Sequence, residues 1–171
     1  SFPSPRRTPL SRTDLDPDPF SQFGQWFSEA AAELALPEAM TLATVDEERR
    51  PDARMVLLKG VDADGFRFFT NYEGVKAAQL DGNPEASLVF FWAPFDRQVR
   101  VRGTVRKLDS GASDEYFATR DRASQVGAWA SRQSHPVASR GELEAAFDRY
   151  AVRWPEDGSA GPVPPPEDWA G

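Results

Sequence analysis

Tyr116, Arg120 and Ser124 follow one another at intervals of four residues. On a helix continuous through Asp121, such positions drift by only about 40° per step and share one face. A phenol, a guanidinium and a hydroxyl on one face suit a phosphate monoester, because the planar guanidinium fork matches phosphate oxygens through charge-assisted hydrogen bonds. The same spacing also describes one surface ion pair with two unrelated polar neighbours. Arg54-Met55-Val56-Leu57-Leu58-Lys59 reads as a strand with a cation at each end. Odd spacing sends Arg54 and Lys59 to opposite faces. They then serve different ligands, or a bulge realigns them, or both simply reach solvent. Lys76 follows Phe69-Thr70-Asn71 at the start of a short helix, where first-turn N–H groups and an ammonium can cradle a phosphate. An ordinary cap beside a solvated lysine has the same pattern. In Arg97–Arg106, Val99, Val101, Gly103 and Val105 alternate with Gln98, Arg100, Arg102, Thr104 and Arg106. That polar face either meets solvent or presents Gln98 to a polar ring system.

Other chemistries are poorly served. His135 is the only histidine and there is no cysteine, which argues against a zinc site and against disulfides. His135 lies in the loop Ser134-His135-Pro136 and reads as solvated. No Gly-x-Ser-x-Gly elbow, P-loop or Gly-x-Gly-x-x-Gly fingerprint occurs. No side chain is assigned as an acid, base or nucleophile. An enzyme built from this chain would rely on a bound organic cofactor. The net charge of −7 repels a phosphate polymer, so nucleic acid is not an expected partner. The chain has no run of 18 apolar residues and no apolar signal core in Ser1–Leu10. Together with the missing cysteines, this points to a protein of the reducing cytoplasm, away from the membrane.

The elements that must position these groups follow from periodicity. The length of 171 residues fits one domain with a real core. Prolines concentrate in Ser1–Pro19 and Pro155–Pro166, which read as extended arms. Asp18-Pro19 predicts a capped helix start, and Phe20, Phe23, Phe27, Ala30, Ala31 and Leu34 continue it at helical spacing up to Pro37. Short β-rich runs follow at Met40–Val45, Met55–Val61, Phe66–Thr70, Ala86–Trp92 and Val99–Val105, separated by turn signals. The connections are too short for parallel crossovers, except Asn71–Pro84, which holds a short helix; the sheet should be antiparallel. Helices are predicted over Ser110–Arg120 and Ala123–Ser131. Ser139 and Glu142 have capping-box spacing and open another helix running to about Trp154. Strands followed by helices give an α+β barrel or sandwich.

Taken together, Arg54–Lys59, Phe69-Thr70-Asn71 with Lys76, Arg97-Gln98-Val99 and the run from Ser124 to Ser134 closely resemble the pyridoxine/pyridoxamine 5′-phosphate oxidase family. Ser124-Gln125-Val126-Gly127-Ala128-Trp129-Ala130-Ser131-Arg132-Gln133-Ser134 is the most specific of these. The resemblance runs in order from about Asp14 to Gly171. It implies an α+β fold, an antiparallel split β-barrel with flanking helices, and a homodimer with FMN at the subunit interface. It implies oxidation of pyridoxamine or pyridoxine 5′-phosphate to pyridoxal 5′-phosphate, with dioxygen accepting the electrons. Carried across by motif, Arg54 and Lys76 would bind the flavin phosphate. Met55, Val56, Leu57, Leu58, Lys59, Phe69, Thr70, Gln98, Gln133, Ser134 and Trp169 would make up the rest of the cofactor site. Lys59, Tyr116, Arg120 and Ser124 would hold the substrate phosphate. On this assignment residues 1–19 form an arm and 20–154 the FMN-binding domain. Residues 155–171 lead into a C-terminal section that this chain does not contain, with an Arg-x-His substrate motif and another flavin-binding arginine.

The chain departs from the family pattern at two further positions. Val75 stands where the family usually has arginine beside the lysine, and Phe69 replaces a common tyrosine. Two other functions fit the same residues: an FMN oxidase of another substrate, such as a phenazine precursor, and a module that binds FMN or pyridoxal phosphate without turnover. Tyr116, Arg120 and Ser124 favour the vitamin B6 phosphate; the missing Arg-x-His motif favours weak or absent turnover.

Overall fold

The computed structural model describes residues 10–131, 135–167 and 169–170. Its strands are β1 (Ala39–Val45), β2 (Pro51–Leu57), β3 (Gly60–Asp62), β4 (Gly65–Arg67), β5 (Thr70–Asn71), β6 (Glu85–Trp92), β7 (Arg97–Thr104) and β8 (Trp169–Ala170). The α-helices are α1 (Pro19–Glu33), α2 (Val75–Gly82), α3 (Ser110–Thr119), α4 (Arg122–Ala130) and α5 (Arg140–Arg153). They fall into two compact units. The first comprises the chain to Phe68 with Asn83–Val105, and the second Phe69–Gly82 with Arg106 onward.

In the first unit, α1 begins as its sequence predicts. The Asp18 carboxylate accepts from the N–H groups of Phe20 and Ser21, and Pro19 occupies the first turn, where its missing N–H costs nothing. The helix carries Phe23 into an aromatic cluster, with ring centroids 4.9 Å from Phe66, 5.1 Å from Phe90 and 5.8 Å from Trp92. Beside it runs an antiparallel sheet in the order β2-β1-β6-β7. Alternation gives this sheet two unlike faces. Met40, Leu42, Thr44, Val56, Leu88, Phe90 and Trp92 are buried on one. Register places Thr41, Met55, Val89, Phe91 and Gln98 on the other, where Met55 is 62% and Phe91 63% exposed. Among the described residues β2 and β7 are the edges, and no pairing closes the sheet into a barrel.

The Met55–Val61 run proves to be two strands rather than one. β2 starts earlier, at Pro51, and ends at Leu57. The Leu58 N–H still bonds to Glu38 O at 2.9 Å, alongside β1, but the next N–H, of Lys59, bonds to Arg67 O at 2.8 Å. The backbone thus changes partners between two ladders, and that exchange breaks the strand. β3 and β4 then form a hairpin, with Gly65 at φ 135°, a conformation that disfavours any side chain. Phe66–Thr70 divides likewise, into β4 and β5.

In the second unit, α3, α4 and α5 enclose a core of Phe117, Val126, Trp154 and Val163, with Trp129, Phe147, Tyr150 and Trp169 packed against it. The α5 start has the predicted cap: the Ser139 hydroxyl accepts from Glu142 N–H at 3.1 Å. The Glu142 carboxylate reaches back to Ala138 N–H, one residue before the cap. β5 and β8 form a two-stranded ladder that pairs Asn71 with Trp169. No helix among the described residues is long and apolar enough to cross a membrane.

Candidate functional site

The predicted ligand-binding residues are divided between the units, with Arg54–Lys59 and Gln98 in the first and Phe69, Thr70, Lys76, Tyr116, Arg120, Ser124 and Trp169 in the second. Gln133 and Ser134 lie outside the described residues.

Arg54 is on β2, opposite Leu42 of β1, on the buried face of the sheet. Its guanidinium donates to Thr44 Oγ1 at 2.5 Å, to Leu42 O at 3.3 Å and to the Asp52 carboxylate at 2.6 Å. Asp52 and Thr44 were not singled out from sequence. The available signal was that Asp52 sits two residues from Arg54, on the same strand face. Val56 and Leu58 bury their side chains in the core, whereas Met55 and Leu57 are exposed. Lys59 is not a strand end: it falls in the break between β2 and β3, is exposed, and lines a cavity of about 660 Å³ with Phe20, Phe23, Phe27, Leu58 and Val61. The simple rule that odd spacing means opposite faces therefore does not reach Lys59. Gln98 is exposed, across from Phe91 at the other edge of the sheet.

The second unit gathers four of the predicted residues. Phe69 and Tyr116 stack with centroids 3.9 Å apart and rings 12° from parallel. Tyr116 and Trp169 are also near parallel, with centroids 6.5 Å apart. The Arg120 guanidinium carbon lies 4.3 Å from the centre of the Trp169 ring. Thr70 and Lys76 are buried nearby in sequence, Lys76 at 8% exposure in the first turn of α2. Val75 beside it is exposed.

The two helices expected over Ser110–Arg120 and Ala123–Ser131 form as α3 and α4, so the condition that would put Tyr116, Arg120 and Ser124 on one helix face, continuity through Asp121, is not met. α3 ends at Thr119, Arg120 is extended at φ −72° and ψ 150°, and Asp121 starts α4 as its N-cap. The Asp121 carboxylate accepts from Ser124 N–H at 2.8 Å, and its bonds to Ser124 hold its pKa below the usual carboxylate value. Aspartate competes with helix continuation by offering its side chain to the backbone, which is why the break falls there.

Two observations show what this region fits. Arg120 Nη1 and Trp169 Nε1 are buried without a hydrogen-bond partner among the described residues. Burial draws the Arg120 pKa below its ordinary value, against the opposing pull of Tyr116 and Asp121. A buried donor without an acceptor costs about 1–3 kcal/mol. The donor set therefore suits an acceptor-rich anion such as a phosphate ester, and the flat rings beside it suit a planar aromatic group. No cluster of metal-ligating side chains exists among the described residues.

Comparison with known proteins agrees with this chemistry. The family model described as pyridoxamine 5′-phosphate oxidase matches residues 27–153. The pyridoxine/pyridoxamine 5′-phosphate oxidase of Cupriavidus necator is 52% identical over 163 residues, covering 95% of this chain and 74% of that protein. The protein of the same name from Rubrobacter xylanophilus is 49% identical over 166 residues, covering 96% of this chain and 75% of that one. Among solved structures, PhzG from Burkholderia lata in complex with tetrahydrophenazine-1-carboxylic acid aligns with a TM-score of 0.85 at 23% identity, covering 96% of this chain and 80% of that one. A pyridoxamine 5′-phosphate oxidase-related, FMN-binding protein from Nostoc punctiforme aligns at a TM-score of 0.69 and 18% identity, covering 91% and 80%. At these identities the two structures speak for the fold. The sequence relatives speak for more: this chain belongs to the pyridoxamine 5′-phosphate oxidase family and is an FMN-dependent oxidoreductase.

Proposed function

We propose that this chain oxidises pyridoxamine or pyridoxine 5′-phosphate to pyridoxal 5′-phosphate, with dioxygen as electron acceptor, as a homodimer that binds FMN at its interface. The observation that carries the reading is Arg120, a partly buried guanidinium over Trp169 whose Nη1 has no partner among the described residues. A substrate phosphate supplies the missing acceptor. Tyr116, Ser124 and Lys59 complete the anchor, while Arg54 and Lys76 hold the flavin phosphate. Phe69, Thr70, Gln98, Gln133, Ser134 and Trp169 complete the cofactor site.

FMN, when bound, supplies a hydride acceptor. The chain itself therefore needs no strong base; its residues fix the substrate carbon in place and exclude water.

The sheet supports the dimer. Arg54 and Gln98 are on opposite faces and at opposite edges of four strands. Three inter-strand spacings separate those edges by about 14 Å. One flavin touching both an arginine and a glutamine of these positions takes them from two chains. The exposed apolar residues around Gln98, Phe91 and Met55 above all, are the surface such a partner would cover.

Replacing Arg120 with alanine tests the substrate. Pyridoxal 5′-phosphate affinity should fall by about 2–4 kcal/mol, the usual cost of removing one side of a buried charged contact. FMN affinity should hardly change, and Arg54→Ala should show the reverse. Flavin release by Arg120→Ala, with pyridoxal phosphate binding intact, would overturn the division of the two phosphates. The second reading, a phosphate-free substrate, draws on the phenazine-type ligand in the PhzG structure. It gains if neither ligand responds to Arg120.

A further inference from the structure

Arg120 has no helix to hold it. Its backbone is extended between α3 and α4, so the direction of its guanidinium depends on how that break is held. Helix ends leave carbonyls without intrahelical partners, and such groups need donors when buried. Here the donor is Gln125. Its side chain is buried, and Nε2 donates to Phe117 O at 2.9 Å and to Ala118 O at 3.5 Å. Phe117 O also accepts the N–H of Arg120 itself, at 3.2 Å. From its place in the first turns of α4, where its own N–H bonds to Asp121 O at 3.0 Å, Gln125 thus ties the last carbonyls of α3 to the start of α4. One amide closes the loop that carries Arg120, with Tyr116 on one side and Ser124 on the other.

We propose that Gln125 is a positioning residue for the phosphate anchor: by fixing the α3–α4 break it sets Arg120 over Trp169. Its side-chain amide donates to the backbone carbonyls of α3. The inference rests on the reading of Arg120 as the substrate-phosphate ligand. A merely structural glutamine would lower stability and affect both ligands alike. A positioning glutamine acts on phosphate binding, and through Arg120.

The test is a double-mutant cycle on the FMN-loaded protein, with pyridoxal 5′-phosphate as the titrant. Gln125→Met keeps length and apolar volume and deletes both donated bonds. It should weaken pyridoxal phosphate binding about tenfold, raise KM for pyridoxine 5′-phosphate in step, and leave kcat and FMN affinity within about twofold. In an Arg120→Ala background the same change should cost less than about twofold, because nothing remains to be positioned. Undiminished pyridoxal phosphate affinity in Gln125→Met, or a full tenfold loss on top of Arg120→Ala, would overturn the proposal. If Arg120→Ala alone leaves pyridoxal phosphate binding intact, the anchor reading fails first, which separates the two failures. Should Gln125→Met not fold, Gln125→Glu carries the test. Its carboxyl can donate only when protonated, so its affinity relative to wild type should recover as pH falls. A ratio near one at every pH would count against Gln125.

Discussion

In the first unit, polar groups that enter the core leave it paired. Trp92 Nε1 donates to Pro37 O at 2.9 Å, and the Arg54 guanidinium is shared among Thr44, Leu42 O and Asp52. Arg97 bonds to Glu29 and lies 4.9 Å from the centre of the Trp26 ring. The second unit is different. Arg120 Nη1, Arg122 Nε and Trp169 Nε1 are all buried there without partners among the described residues. Arg122 is still anchored through Nη2, which donates to Ala151 O at 3.0 Å. Arg120 and Trp169 lean on each other through a ring face, which attracts a cation but accepts no in-plane hydrogen bond from Nη1. Paired interior polar groups behave as scaffold, whereas unpaired donors beside flat aromatic rings have the chemistry that the proposed phosphate anchor requires.

The contrast can be broken at its strongest point by comparing a scaffold residue with a site residue. Trp92→Ala removes a ring buried to 2% exposure, packed against Phe23, Phe27 and Phe90. It should cost about 3–5 kcal/mol in urea unfolding. Arg120→Ala should cost less than about 1 kcal/mol without ligand, since it deletes a donor that no group among the described residues satisfies. Equal losses would erase the distinction between the units.

A mixed-chain experiment sharpens the same comparison from the sheet outward. Arg54→Ala and Gln98→Ala should each lower FMN affinity about tenfold or more when made alone. Co-expressed, the two variants should give mixed dimers with one intact flavin site each, seen as partial recovery of bound flavin. No recovery in a mixed dimer would place Arg54 and Gln98 in one chain's site, against their positions on opposite faces.

The smallest effect should be common to both units. Asp18 is held below its ordinary pKa by bonds to Ser21, and Asp121 by bonds to Ser124. A carboxylate with a depressed folded pKa contributes stability fully present above the unfolded value, near 4, and lost as pH falls through the folded value. Acid titration should therefore loosen the starts of α1 and α4 together, below about pH 4, read by amide exchange over the first turn of each. Asp18→Asn and Asp121→Asn, which keep a capping oxygen, should flatten that dependence. Loosening of one start only would mean that the two caps are not equivalent.

Much of the fold was legible from local signals. α1 starts where its sequence predicts because Asp18 and Pro19 act on their own backbone neighbours, and it ends at Glu33, before Pro37. The α5 cap at Ser139 was readable for the same reason. The polar alternation of β7 was visible because side-chain direction in a strand depends only on parity. Arg120 and Tyr116 are legible by residue type and spacing, and so is the break between the two helices that flank Arg120. The single helix face that would have joined Tyr116, Arg120 and Ser124 is lost because Asp121 caps a new helix instead of continuing the old one. Gln125 stood in the most specific motif and carried no visible role, because its partners are carbonyls, which every residue has.

The sequence by itself determined where helices begin and the family to which the chain belongs, since these follow from residue identity and short-range geometry. Only the tertiary structure decided which backbone exchanges ladders after Leu58, which face of the sheet Arg54 takes, and that Arg120 and Trp169 bury donors together. Each of these depends on a partner distant in sequence: Arg67 for Lys59, Leu42 for Arg54, Asn71 for the strand that brings Trp169 to Arg120. Pairing between remote segments is a competition settled by the whole packed chain, so it leaves no mark at any single position.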